Sequence, residues 1–215
     1  MSSAPFTRVP SGVLCRAMQL LALDVAVLPP PDVRQQAIQL SAALPVEGSH
    51  GLRLDEHHHP HITLTQAFIR AEELDAVLDR VAGVVRGRTP MTIGITEGAH
   101  NGDTLLLTVD RTPELVVLHE ELMEALRGYE RPGGTPAAFV GADGRVGDIL
   151  WVASYRLKSS FHAYEPHITL GHGEHAPAIE PFSFEATTIA ACQLGRFCTC
   201  QRILREWELE KPAQA

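Results

Sequence analysis

The chain has 215 residues, 45% of them hydrophobic and 20% charged, a balance that fits a globular fold of one large domain or two small lobes and excludes a largely disordered polymer. Lys and Arg total 18 against 26 Asp and Glu, a formal net charge of −8. An acidic average argues against wrapping long duplex nucleic acid, which calls for a basic face, and points to a small or end-directed substrate.

In chain order, residues 1–16 read as a flexible leader, with no long apolar run. Residues 18–28 are mostly apolar but interrupted by Asp24 and closed by Pro29-Pro30-Pro31. That pattern fits a buried strand entering a turn, and it is too broken for a secretory or membrane-spanning segment. A soluble, cytoplasmic protein that does not engage membranes is expected. Residues 32–44 follow with Val33, Ala37, Leu40 and Leu44 at helical spacing, opened by Pro and Asp. A loop rich in Gly and His then leads into a short strand over 61–68, whose Phe68 reads as core.

Residues 71–85 carry the clearest helix, with Leu74, Val77, Leu78, Val81 and Val85 on one face. Residues 91–96 and 104–110 read as a hairpin turning at Asn101-Gly102-Asp103. Residues 114–126 form a second strong helix through Leu115, Leu118, Leu122 and Leu126. Residues 129–165 are the least legible. Gly133-Gly134 and Gly141 to Gly144 lack a P-loop ending and read as turns or a mobile lid, and 149–155 fits helix or strand equally. A short strand over 167–170 follows. Residues 182–193 and 199–209 read as an antiparallel pair, and 211–215 as a tail. About seven short strands and three or four helices, without strict alternation, predict an α+β fold with antiparallel sheets. The four cysteines, Cys15, Cys192, Cys198 and Cys200, contain no Cys-x-x-Cys pair and read as reduced thiols, Cys198 and Cys200 on one strand face.

The strongest signal is a repeated pentapeptide, Pro60-His61-Ile62-Thr63-Leu64 and Pro166-His167-Ile168-Thr169-Leu170. A single His-x-Thr is uninformative, but two identical five-residue strings about a hundred residues apart suggest two related halves. On a strand, His61 and Thr63 share one face and Ile62 and Leu64 the other, and likewise His167 and Thr169 against Ile168 and Leu170. Two facing histidines suit phosphodiester cleavage. One, neutral, takes a proton from the attacking oxygen; the other, protonated, gives one to the leaving oxygen. The threonine hydroxyls can donate to phosphate oxygens. The scheme needs neither metal nor cofactor.

Other groups could complete a site. Tyr164 and Phe161 could stack on a base, with core packing the alternative for Phe161. Lys158, Ser159 and Arg156 could touch phosphate or belong to a solvated loop. His57, His58 and His59, and His172 and His175 after the second motif, invite a metal reading. Consecutive strand residues point to opposite faces, so the triplet cannot converge on one ion. His59 could still act from behind the first motif.

The two strings resemble the paired His-x-Thr-x motifs of the 2H phosphoesterase superfamily, which includes LigT-like 2′-5′ RNA ligases and cyclic nucleotide phosphodiesterases. The likeness extends through Leu54-Asp55-Glu56-His57-His58-His59 before the first motif and Ile69-Arg70-Ala71-Glu72-Glu73-Leu74-Asp75 after it. It continues at Thr135-Pro136-Ala137-Ala138-Phe139, Lys158-Ser159-Ser160 and Tyr164 to Gly171, and spans about residues 18–209. The resemblance implies one bilobal α+β domain over 17–210 with pseudo-two-fold symmetry. Two antiparallel sheets would form a V-shaped central groove with helices outside. It implies a metal-independent phosphodiesterase acting on 2′,3′-cyclic phosphate or 2′-5′-linked (oligo)nucleotides, in the hydrolytic or the ligating direction. By carry-over His61 and His167 are the acid–base pair and Thr63 and Thr169 hold the phosphate. His167 is expected as base towards water and His61 as acid towards the leaving 3′ oxygen, with the roles exchanged in ligation. The expected partner is a small nucleotide or RNA end, met by a monomer. Two rivals are a hydrolase of cyclic oligonucleotides or ADP-ribose cyclic phosphate, and a nucleotide- or RNA-end-binding module without catalysis.

Overall fold

The computed structural model describes residues 19–47 and 50–210; the expected leader, Cys15, Met18 and the tail lie outside the described residues. Among the described residues there are eight strands and four α-helices. They are β1 (Leu20–Leu28), α1 (Pro31–Ala43), β2 (Ile62–Arg70), α2 (Leu74–Val85), β3 (Met91–Asn101), β4 (Thr104–Val109), α3 (Pro113–Leu126), α4 (Val146–Lys158), β5 (His167–His172), β6 (Phe182–Ala186), β7 (Thr188–Leu194) and β8 (Cys200–Glu208).

The strands form two four-stranded sheets, ordered β2-β1-β7-β8 and β5-β4-β3-β6. Every neighbouring pair is antiparallel, as expected of the α+β reading. In the first sheet a bridge joins His59, just before the edge strand β2, to Cys200 at the start of the opposite edge strand β8. That contact curls the sheet towards a half-barrel. β1 is buried almost throughout because it is central in a sheet covered on both faces, so its sequence reads as an apolar run.

Two units repeat the order strand, helix, motif strand: β1-α1-β2 and β4-α3-β5, the second with α4 inserted before its motif strand. Both helices begin with proline, where a missing N–H costs nothing. Each helix crosses to the other unit's motif strand: α1 packs on β5 and α3 on β2. The suggested relation between halves thus has a structural counterpart, and a core of buried apolar residues from both sheets ties them together.

Some boundaries differ from expectation. Residues 182–193 do not form one strand: Thr187 divides β6, which joins the second sheet, from β7, which joins the first. The apolar alternation of β6 (Phe182, Phe184, Ala186) stops at Thr187-Thr188, and β7 is an apolar run from Ile189 to Cys192, so the pattern changes where the partner does. Cys198 lies in a tight turn (Arg196–Cys198) before β8, so Cys198 and Cys200 do not share a strand face. Residues 149–155 belong to α4.

The glycine-rich stretches of 129–165 are close-approach points. A Cβ on Gly134 would fall 2.3 Å from the Phe68 ring, and one on Gly144 2.2 Å from the Phe139 ring. Phe68 and Phe139 meet edge to face at 5.8 Å and, with Ala22, Ala138, Val152 and Leu194, form a second buried cluster. The segment packs over this end of the first sheet, which corrects the mobile-lid expectation for the part that covers it.

Candidate active site

β2 and β5 are the edge strands on which the two sheets meet, and each carries one pentapeptide. Each is interrupted by a β-bulge at the same motif position. Along β2, Thr63 faces Ala26 and Thr65 faces Val25, leaving Leu64 as the extra residue. Along β5, Thr169 faces Leu106 and Gly171 faces Leu105, leaving Leu170 extra. A bulge shifts the side-chain alternation by one. Thr63 and Gln66, three apart, therefore turn to the same face, and both reach Asp24. Ile62, Leu64, Ile168 and Leu170 are fully buried on the opposite face, as expected.

The two histidines are held alike. His61 Nδ1 lies 2.8 Å from the carbonyl of His59, and His167 Nδ1 lies 2.8 Å from the carbonyl of Glu165. A carbonyl only accepts, so Nδ1 carries the proton in both rings and Nε2 is the nitrogen left for chemistry. The intervening Pro60 and Pro166 stiffen the turn that makes each bond. His61 and His167 lie close enough for a charge on His61 to push the His167 pKa down, adding to the larger lowering by burial.

Their surroundings differ. The Asp24 carboxylate is fully buried, and its Oδ2 lies 3.7 Å from His61 Nε2. The same oxygen accepts from the Thr63 hydroxyl at 2.8 Å and from the Gln66 amide at 2.6 Å. Burial raises the Asp24 pKa, opposed first by the His61 charge and then by these two hydrogen bonds. Sequence reading used Asp24 only as a break in an apolar run; a charged residue inside an otherwise buried strand was the signal. Ligand atoms of Asp24, His61 and Cys200 lie within 4.8 Å of one another, a spacing a cation could bridge. Burial and pairing with Cys192 push the Cys200 thiol well above its usual range, whereas a thiol must ionise to ligate. The donor set therefore fits a metal poorly.

The bulges leave backbone carbonyls without ladder partners, and buried side chains take them up. His119 of α3 donates from Nδ1 to the Leu64 carbonyl at 2.6 Å, and its Nε2 accepts the Phe161 N–H at 2.8 Å. Ser41 of α1 donates to the corresponding Leu170 carbonyl at 2.6 Å and accepts the Leu54 N–H at 2.9 Å. The Tyr164 hydroxyl donates to the Thr63 carbonyl at 3.0 Å, while its ring stacks on His119 at 3.9 Å. Tyr164 is 2% exposed. This corrects its reading as a base platform, because ring and hydroxyl are already engaged in holding the first bulge. Phe161 packs its ring edge against His119 and belongs to the same clamp.

Replacing His119 with leucine leaves the Leu64 carbonyl and the Phe161 N–H unpaired. The expected loss is about 2–6 kcal/mol, since each of the two orphans costs about 1–3. Burial also holds His59, His119 and His167 below their ordinary pKa of 6.5. The unfolded chain takes up protons near that value before the folded chain does, so stability is full above it and drains as pH falls below it. Denaturant titrations at about pH 7 and pH 5 should show the lower midpoint at pH 5, and the His119→Leu variant should show a smaller drop.

The other expected contacts have different partners or none on the motifs among the described hydrogen bonds. Arg156 is held by two bonds of 2.7 Å to Glu130 and one of 3.3 Å to Glu124, and also donates to the Met123 carbonyl, so it is not a free phosphate ligand. Lys158 is exposed on the last turn of α4 and Ser159 caps that helix; no described hydrogen bond links either side chain to the four motif residues. His58 pairs with Asp55 at 2.8 Å and His57 is exposed, so the histidine triplet does not converge. His59 supports the motif through its backbone, donating to the Cys200 carbonyl at 2.9 Å and accepting from His61. Cavities of about 220 and 210 Å³ lie beside α2 and α1, and neither is lined by a motif histidine.

The model of the family described as the 2′-5′ RNA ligase superfamily matches residues 29–194. Among solved structures, Escherichia coli LigT complexed with NADP+ is 21% identical, with 89% of this chain and 99% of that one covered and a TM-score of 0.58. TT0787 of Thermus thermophilus is 17% identical, with 89% and 99% covered and a TM-score of 0.60. E. coli LigT complexed with 3′-AMP is 21% identical, with 90% and 100% covered and a TM-score of 0.58. At these identities the likeness is one of fold. Comparison with curated proteins finds no match. No helix among the described residues is long and apolar enough to cross a membrane.

Proposed function

The chain belongs to the 2′-5′ RNA ligase superfamily, and from that membership we propose that it is a metal-independent phosphodiesterase acting on 2′,3′-cyclic phosphates or 2′-5′-linked (oligo)nucleotides. The observation that carries this reading is the matched pair of Nδ1–carbonyl hydrogen bonds, which leaves one imidazole Nε2 on each of two facing strands for proton transfer. In hydrolysis of a 2′,3′-cyclic phosphate, one Nε2 takes a proton from water as its oxygen bonds to phosphorus. The other gives a proton to the 3′ oxygen as its bond to phosphorus breaks, and a 2′-monoester leaves. Thr169, and Thr63 less freely, donate to the non-bridging oxygens as charge builds on them.

Two features favour a small or terminal substrate. The acidic average lacks the charge for long nucleic acid. The segment that carries Ala138, Phe139 and Val152 packs on the first sheet at Ala22, two residues along β1 from Asp24, which favours a short substrate over a continuous strand on that face. A LigT structure with 3′-AMP shows that a relative of this fold accepts a nucleotide of that size.

The test is incubation with 2′,3′-cyclic nucleotides and short 2′-5′-linked RNAs in EDTA, with phosphorus NMR of the products. Full turnover in the chelator and a single monoester are expected. Substrates that all come back unchanged would overturn the hydrolase, and nucleotide binding without turnover would favour the non-catalytic module.

A further inference from the structure

The pentapeptides are identical and their histidines are held by identical bonds, yet acid–base catalysis needs one ring protonated and the other neutral. Asp24 breaks the symmetry. No carboxylate side chain lies in ion-pair contact with His167 among the described residues; the acid whose charge bears on it is Glu165, which is exposed. We propose that Asp24 is a positioning residue that holds the proton on His61 Nε2, making His61 the acid and leaving His167 as the base. The inference rests on the phosphodiesterase reading for its catalytic meaning.

The geometry supports it from every side. Asp24 sits fully buried in the middle of β1, with Oδ2 bonded to Thr63 and Gln66 and 3.7 Å from His61 Nε2. Its Oδ1 is buried and has no hydrogen-bond partner among the described residues. A carboxylate in that position needs a positive neighbour, because burial penalises an unpaired charge. The titratable groups that bear on the pair are His59 before β2, His167 on β5, Cys192 on β7, Cys198 in the turn before β8, Cys200 at the start of β8, Tyr155 on α4 and Tyr164 before β5. Burial pushes the Cys198 and Cys200 thiols and the Tyr155 and Tyr164 phenols upward, which keeps them neutral. Burial pushes His59 and His167 downward, which also keeps them neutral. His61 is the group left to carry the positive charge that Asp24 attracts. When His61 gives its proton to the leaving 3′ oxygen, Asp24 is left unpaired and draws a proton back to the ring, resetting the acid.

Asp24→Asn keeps the shape and removes the charge. The alkaline limb of the kcat/KM profile should move down by about one pH unit, with about a tenfold loss at pH 8. The affinity for a nucleoside 2′-monophosphate should stay within about twofold, since Asp24 does not touch the ligand. A folded variant whose alkaline limb does not move would overturn the inference. Nitrogen-15 NMR of the histidine rings in the wild-type protein decides the matter without a variant. His61 should remain imidazolium to a higher pH than His167; a common titration, or the reverse order, would overturn it. This readout needs no turnover. Failure of the phosphodiesterase assay therefore leaves the proton assignment to be judged on its own, and an active enzyme with equivalent histidines rejects Asp24 alone.

Discussion

Replacement of either His61 or His167 by alanine should lower kcat by about 10²–10⁴-fold, the range expected when a general acid or base is removed. His167 makes a single described hydrogen bond, through Nδ1 to a neighbouring turn, so its loss should change thermal unfolding little, whereas loss of His61 leaves the buried Asp24 carboxylate without its neighbour and should lower the melting temperature as well. The double variant should be scarcely slower than the worse single variant, because the two rings act in one step and their losses do not add. The wild-type rate should trace a bell against pH, with the neutral His167 setting the acid limb and the protonated His61 the alkaline limb. Burial lowers the His167 pKa, which places the acid limb below 6.5. Steady-state kinetics on a 2′,3′-cyclic nucleotide provide the measurement. Turnover that survives either single change would refute the paired scheme.

The threonines should prove unequal in the same assay. Thr63 already donates its hydroxyl hydrogen to Asp24 at 2.8 Å. No described residue accepts from Thr169, which stands on the face of β5 shared with His167. Thr169→Val, which keeps the volume and deletes the donor, should therefore lower kcat by about 10²–10³-fold, as loss of one donor to a developing oxyanion does. Thr63→Val should lose less in phosphate stabilisation. Its effect should appear in the pH profile instead, through the altered hydrogen bonding of Asp24. Equal losses with unchanged profiles would show that both hydroxyls bind phosphate directly and that Thr63 leaves Asp24 in the reaction.

The motif residues were legible because their signal is local and doubled. A His-x-Thr pair on a strand shares a face whatever the strand packs against, and the helices announced themselves by periodic leucines and valines. Tyr164 was misread for a physical reason. An aromatic beside a motif looks like a binding platform, but a bulge had freed the Thr63 carbonyl, and the buried phenol was needed there. His119 carried no signal at all, since one histidine on a leucine-rich helix face looks like any other. Its partner carbonyl lies 55 residues away in the chain.

By itself the sequence determined the elements that depend on near neighbours, namely the helices, most strands, the Asn-Gly hairpin and the repeated His-x-Thr pairs. Only the tertiary structure decided which sheet each half of 182–194 would join, that Leu64 and Leu170 would be bulged out of register, and that Asp24 would lie beneath His61. These depend on contacts between distant residues, such as Asp24 with Gln66 at a separation of 42 and Ser41 with Leu170 at 129. Periodicity states which face a side chain takes and not what waits on the other side. The two histidines are identical in sequence, and only the packing of β1 against one of them makes them chemically different.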